Sequence, residues 1–356
     1  LLPLVSVVIR ALRKKRVVAG EPKGAGGAYN AKDGMLVPRV RTLTNGQAIE
    51  HEPVLCDEIM STVAPRPGEV VVDVTLGHGG HARLLAGAVG EQGRLIGLDV
   101  DAGNLERARA RLFTGEGPRP HIDLVRANFR ELDEVLDSLG VAQVDVIFAD
   151  LGVSTDQLLD ASRGLTFSED GPLDMRLDDR LNRTAADLVN SASEGELSDL
   201  IYYNSQEHFS RRIAKRICEA RRNGRIRTTQ QLVRIVCSAV GVSPDWRREK
   251  IHPATRTFLA LRMAVNDEVG NLETLLKVAP RRLKSGGRFA VISFHSGEDR
   301  LVKQDFLDRK RAALYEIETK KPVRPSSEEM ERNARSRSAK LRVARRTDLP
   351  LNKAGA

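Results

Sequence analysis

Between residues 69 and 149 the chain alternates short β-branched runs with stretches of helical spacing, and this alternation limits the possible folds most. Residues 69–74 (EVVVDV), 94–98 (RLIGL), 122–126 and 144–149 (VDVIFA) read as strands. Residues 81–89 and 104–112 between them read as helices. Parallel neighbours need a long crossover, usually a helix, so the order predicts an α/β fold with a mostly parallel sheet. The runs lack polar alternation, as strands covered on both faces require. After Asp150 the pattern changes. Residues 151–183 are loop-like, and 185–190, 194–203, 207–222, 229–240 and 253–268 read as helices. Strand character returns at 287–294 (GRFAVISF) after the turn Lys284-Ser285-Gly286-Gly287. A helical insertion therefore interrupts the sheet.

Charge is segregated along the chain. Residues 1–50 hold nine Lys/Arg against three Asp/Glu, 207–256 hold thirteen against four, and 320–356 hold eleven against four. The total is only +9, so the remainder is net acidic. Blocks of positive charge are the footprint of a polyanion binder, with solvated helix faces and tails as the alternative. In 207–222, Phe209, Ile213 and Ile217 form an apolar stripe, and Arg211, Arg212, Lys215 and Arg216 lie off it as candidates for RNA phosphates. Residues 1–46 are rich in Gly and Ala without periodicity and are expected to be a basic, disordered extension. The chain begins with Leu, which makes Met35 an alternative start. No apolar run approaches the ~20 residues of a membrane span. The three cysteines are far apart, which excludes a disulfide scaffold or a CxxC zinc module and suits a reducing, cytoplasmic setting.

The chemistry concentrates where strands end. Val72-Asp73-Val74-Thr75-Leu76-Gly77-His78-Gly79-Gly80-His81-Ala82 joins a strand to a helix. Glycines there expose helix N-terminal amides, and Asp99, twenty residues after Gly79, can accept from ribose hydroxyls. This pattern points to an adenosine-containing cofactor, either NAD or S-adenosylmethionine. The latter carries a positive sulfur and an ammonium group, so carboxylates favour it. Asp73, Asp99, Asp101 and Asp150 all fall at strand C-terminal ends, which tilts the choice to S-adenosylmethionine. No metal site is expected, because His78 and His81 lack ligand partners at helical spacing. His295 reads either as a base or as a packing histidine.

The chain also resembles the bacterial 16S ribosomal RNA cytosine-N4 methyltransferases. The matching blocks run in order: His51-Glu52-Pro53-Val54-Leu55, Gly77-His78-Gly79-Gly80-His81, Leu98-Asp99-Val100-Asp101, Asp150-Leu151-Gly152-Val153-Ser154, Asp170-Gly171-Pro172-Leu173-Asp174-Met175-Arg176, His252-Pro253-Ala254-Thr255-Arg256, Ser293-Phe294-His295-Ser296 and Arg335-Ser336-Arg337-Ser338-Ala339-Lys340-Leu341-Arg342. The resemblance implies a class I methyltransferase (Rossmann-like) domain over 47–155 and 251–315. An inserted helical substrate-binding domain would occupy 156–250, and a basic, flexible tail 316–356. It further implies S-adenosylmethionine as cofactor and 16S rRNA of the small ribosomal subunit as partner, with no membrane partner. The target would be the N4 amine of a cytidine in the decoding region. The implied cofactor contacts are Gly79, Gly80, His81, Asp99, Phe129, Asp150 and Gln157. The residues alone reach the glycines, Asp99 and Asp150; alone, Phe129 reads as core and Gln157 as a loop polar residue. A nucleotide-dependent oxidoreductase and a non-catalytic rRNA-binding assembly factor are the alternatives.

Overall fold

A computed structural model describes residues 53–114, 117–244 and 251–350, and the extension 1–46 lies outside them. The described chain divides into two units, 53–152 with 271–350 and, between them in sequence, Val153–Gly270.

The first unit is built on a seven-stranded sheet of order β3-β2-β1-β4-β5-β7-β6. The strands are β1 Val70–Asp73, β2 Arg94–Asp99, β3 His121–Arg126, β4 Val144–Asp150, β5 Leu283–Ser293, β6 Tyr315–Ile317 and β7 Lys340–Arg346. β1 to β5 pair in parallel, whereas β7 is antiparallel to both β5 and β6. Side chains alternate between two apolar layers. Val72, Ile96, Ile147 and Phe289 pack on one face with Leu132 and Leu275. Val71, Leu95, Phe148 and Ile292 pack on the other with Leu85 and Leu105. Both faces are thus covered, as the unbroken Val/Ile runs require. The expected turn at 284–287 is a bulge inside β5, where the register with β4 jumps from Val144↔Leu283 to Val146↔Arg288.

Within the tail expected over 316–356, the described residues 316–350 are not flexible chain. β7 is an interior strand of the sheet, with Leu341, Val343 and Ala344 fully buried. Its charged residues hide the pattern in the sequence. Arg342 is buried because its Nε donates to Asp299 Oδ1 at 2.7 Å, and Arg345 Nε lies 2.6 Å from Glu318 Oε1. The alternating Lys and Arg resemble a solvated segment although paired carboxylates receive two of them.

The second unit is helical: Thr155–Leu159, Ala185–Ser191, Glu194–Ser205, Ser210–Ala220, Thr229–Val240 and Thr255–Val265. Thr184, Ser193 and Thr228 start three of these helices with reciprocal capping boxes. Its extent differs from the expected 156–250. Residues 251–270 belong to it, because Ala254, Phe258, Ala260 and Leu261 lie in its core. The expected stripe at 207–222 also needs correction. The helix starts at Ser210; Ile213 and Ile217 are buried, but Phe209 precedes it and is 45% exposed.

The placement of β7 is testable. Leu341→Ala removes a fully buried side chain and should cost about 2–5 kcal/mol, read as a lower urea midpoint at unchanged m-value. A flexible tail would tolerate this change without loss.

Candidate active site

β1 is flanked by β2 on one side and β4 on the other, so the chain's crossovers diverge beside it and leave a crevice at the strand ends. Asp73, Asp99 and Asp150 are the last residues of these three strands. The loop after β1 bends through left-handed Gly77 (φ 52°) and Gly79 (φ 76°). Its backbone is anchored on both neighbours: Val74 N–H donates to Phe148 O and Leu76 N–H to Leu98 O, each at 2.9 Å. A Cβ on Gly79 would stand 3.2 Å from Ala108 Cβ, and one on Gly80 would stand 3.1 Å from Pro53 Cγ. These two glycines let the loop lie against its own scaffold; helix Gly80–Val89 starts directly after.

Each carboxylate is held differently. Asp99 accepts from Gly77 N–H and Asp101 N–H at 2.8 Å each, and from Asn104 Nδ2 at 3.2 Å. Asp73 accepts from Thr75 N–H at 3.1 Å. The Thr75 hydroxyl takes Asp150 N–H at 2.6 Å and faces Asp73 Oδ1 at 3.4 Å, tying the ends of β1 and β4 together. Asp150 Oδ2 lies 3.5 Å from Arg335 Nη2 and 3.7 Å from His81 Nδ1. Its Oδ1 is buried without a hydrogen-bond partner among the described residues. Burial pushes Asp73 up to about 7, with Asp150 and Asp99 adding repulsion against the Thr75 hydrogen bonds. Burial likewise lifts Asp99 to about 6, against its backbone donors. Burial lowers the His81 pKa, so its ring is neutral near pH 7. A crevice with crowded carboxylates and one unpartnered buried oxygen fits a cationic nucleoside ligand. A pyrophosphate would add negative charge to it.

The first unit thus brings together Gly79, Gly80, His81, Asp99 and Asp150. Phe129 opens a short turn just beyond β3, the neighbour of β2, and packs partly buried on the sheet core. Gln157 belongs to the helical unit, where its side chain accepts Ser154 N–H at 3.1 Å. His295 caps the helix Ser296–Arg311. Thr75, Asn104 and Arg335 escape sequence reasoning, since no spacing rule links residue 335 to residue 150. In the helical unit, Arg211, Arg212, Lys215 and Arg216 all lie exposed, opposite buried Ile213 and Ile217. Arg212 sits 5.3 Å from the centre of the Phe209 ring. In the segment 170–180, Asp174 holds Arg176 at 2.7 Å and Asp178 holds Arg180 at 2.8 Å.

Residues 48–347 match the family model described as the MraW methylase family. The chain is 45% identical over 320 residues to the ribosomal RNA small subunit methyltransferase H of Syntrophobacter fumaroxidans, covering 86% of this chain and 99% of that one. It is 46% identical over 305 residues to the protein of the same name from Koribacter versatilis, covering 84% and 95%. S-adenosylmethionine is the cofactor, and the carboxylate cluster suits its positive charge.

The raised Asp73 has a measurable consequence. Its pKa is higher folded than unfolded, so its contribution to stability is complete below about pH 4 and is lost as pH rises through about 7. Asp73→Asn should therefore stabilise the protein at pH 8 by on the order of 3–4 kcal/mol, an advantage that fades toward pH 4. It should also weaken S-adenosylmethionine binding. Urea unfolding across this range and calorimetric titration check both; equal midpoints at pH 8 would refute the buried charge.

Proposed function

The chain belongs to the MraW methylase family, and from that premise we propose that it methylates the exocyclic N4 amine of a cytidine in the decoding region of 16S rRNA in the small ribosomal subunit. The observation that carries this reading is the carboxylate crevice, whose Asp150 Oδ1 is buried and unpartnered. The names of the relatives support the rRNA substrate.

Bound in the crevice, S-adenosylmethionine supplies an electrophilic methyl group on a cationic sulfur. The chain's own residues bind and orient. Asp99, fixed by three donors, presents its carboxylate to the ribose hydroxyls. Gly79 and Gly80 keep the loop low, Phe129 is assigned to the adenine side, and His81 completes the contacts offered by the first unit. Asp73 and Asp150 set a negative potential that favours the cationic donor. In-line transfer needs the amine held along the sulfur–methyl axis, so orientation is the protein's main contribution. The target base has to leave its stack. Arg211, Arg212, Lys215 and Arg216 would hold the flanking phosphates. The reaction belongs in the cytoplasm, where the small subunit is found.

An oxidoreductase would need the crevice to accept a pyrophosphate beside its carboxylates. A non-catalytic assembly factor would have no use for a charged cofactor site that costs stability.

Incubation with labelled cofactor and small-subunit particles, followed by nucleoside analysis, should place the label in N4-methylcytidine. Label in another nucleoside, or none, would overturn the reading. Replacing Arg211, Arg212, Lys215 and Arg216 by Ala should weaken RNA binding and flatten its dependence on salt. The log–log slope should fall by about 3 if all four contact phosphates. Cofactor affinity should be unchanged. RNA affinity equal to that of the unaltered protein would remove this face from the RNA site.

A further inference from the structure

The segment between β6 and β7 reaches the crevice. It contains the helix Ser327–Arg332 and the turn Ala334–Ser338. Arg335 enters from that turn, with its own N–H held by Asn333 Oδ1 at 3.2 Å. Its guanidinium stacks 4.7 Å from the centre of the Phe294 ring and places Nη2 3.5 Å from Asp150 Oδ2. Glu329, from the same segment, accepts Leu55 N–H at 2.8 Å. Leu55 is fully buried in a left-handed conformation (φ 59°), which the bond helps to hold.

The neighbouring Val54 carbonyl lies 2.8 Å from His81 Nε2. A carbonyl can only accept, so that nitrogen carries the hydrogen. The Nδ1 of the neutral ring then turns a lone pair toward Asp150 Oδ2, from 3.7 Å. Arg335 is therefore the cation that holds this oxygen. The Asp150 side chain is only 9% exposed, and its other oxygen, Oδ1, has no partner among the described residues.

We propose that Arg335 is a positioning residue: by holding Oδ2 it fixes the Asp150 rotamer, so that Oδ1 is presented to the ammonium group of the methyl donor. The inference rests on reading the crevice as the S-adenosylmethionine site. It makes the segment 326–339 part of that site. Phe294 keeps the guanidinium plane from swinging, and Asn333 fixes the backbone from which it projects. Without Arg335, the carboxylate can rotate and its two oxygens become interchangeable.

Calorimetry without RNA tests this with two ligands, S-adenosylmethionine and 5′-methylthioadenosine, which lacks the amino-acid part. Arg335→Met keeps the stacking volume and removes the charge. It should weaken S-adenosylmethionine by about tenfold or more and leave 5′-methylthioadenosine within about twofold. Arg335→Lys should recover part of the loss. Asp150→Asn should show the same selectivity, and the double variant should be no worse than Asp150→Asn alone. Equal weakening of both ligands, unchanged affinity for both, or additive effects would each overturn the role of Arg335. If the unaltered protein took up neither ligand, the cofactor reading itself would fail. Failure to methylate cytidine would not affect this result, because no RNA is present.

Discussion

Three carboxylates from three adjacent strands crowd one end of a parallel sheet, Asp73 fully buried and Asp99 and Asp150 partly so, and the site of the first unit depends on holding them there. Burial lifts two of them far above the ordinary carboxylate range, Asp73 to about 7 and Asp99 to about 6. Such a cluster persists only where its surroundings fix it. Here the fixing is done by backbone donors. Gly77 and Asp101 hold Asp99, Thr75 holds Asp73, and the Thr75 hydroxyl ties in the backbone of Asp150. The strands behind them carry Val, Ile and Leu on both faces, so their ends cannot drift apart to relieve the charge. Arg335 offsets part of it at Asp150, and in the function proposed above a cationic ligand offsets the rest.

This arrangement makes binding and stability opposing demands on the same residues. A neutral crevice would fold more readily and bind a sulfonium compound less well. β7 contributes to both demands. It adds an antiparallel neighbour to β5, and the segment leading into it brings Arg335 to Asp150. The helical unit is simpler. Its helices bury Ile213, Ile217 and Phe258 and leave a basic face on Ser210–Ala220.

Much of this was legible in the residue order. The five parallel strands followed from β-branched runs with helices between them, the positions of Asp99 and Asp150 from the strand ends, and those of Gly79 and Gly80 from the loop that leads from β1 into the next helix. β7 did not, because its apolar residues alternate with Lys and Arg whose partners lie elsewhere in the chain. The helix Thr255–Val265 was legible as a helix, but the unit it belongs to depends on which core receives Phe258 and Leu261. Phe209 fitted a helical period that the helix does not reach. In the sequence the loop glycines read as room for a ligand, yet Gly79 and Gly80 are also needed against Ala108 and Pro53.

By itself, the sequence determined the α/β class, the crossover order and the acidic strand ends, because periodicity and turn chemistry act over a few neighbouring residues. Only the tertiary structure decided which charges are buried and what holds them. Whether an arginine is solvated or pinned to a carboxylate depends on residues more than a hundred positions away, as with Arg335 and Asp150, and local pattern carries no record of that distance.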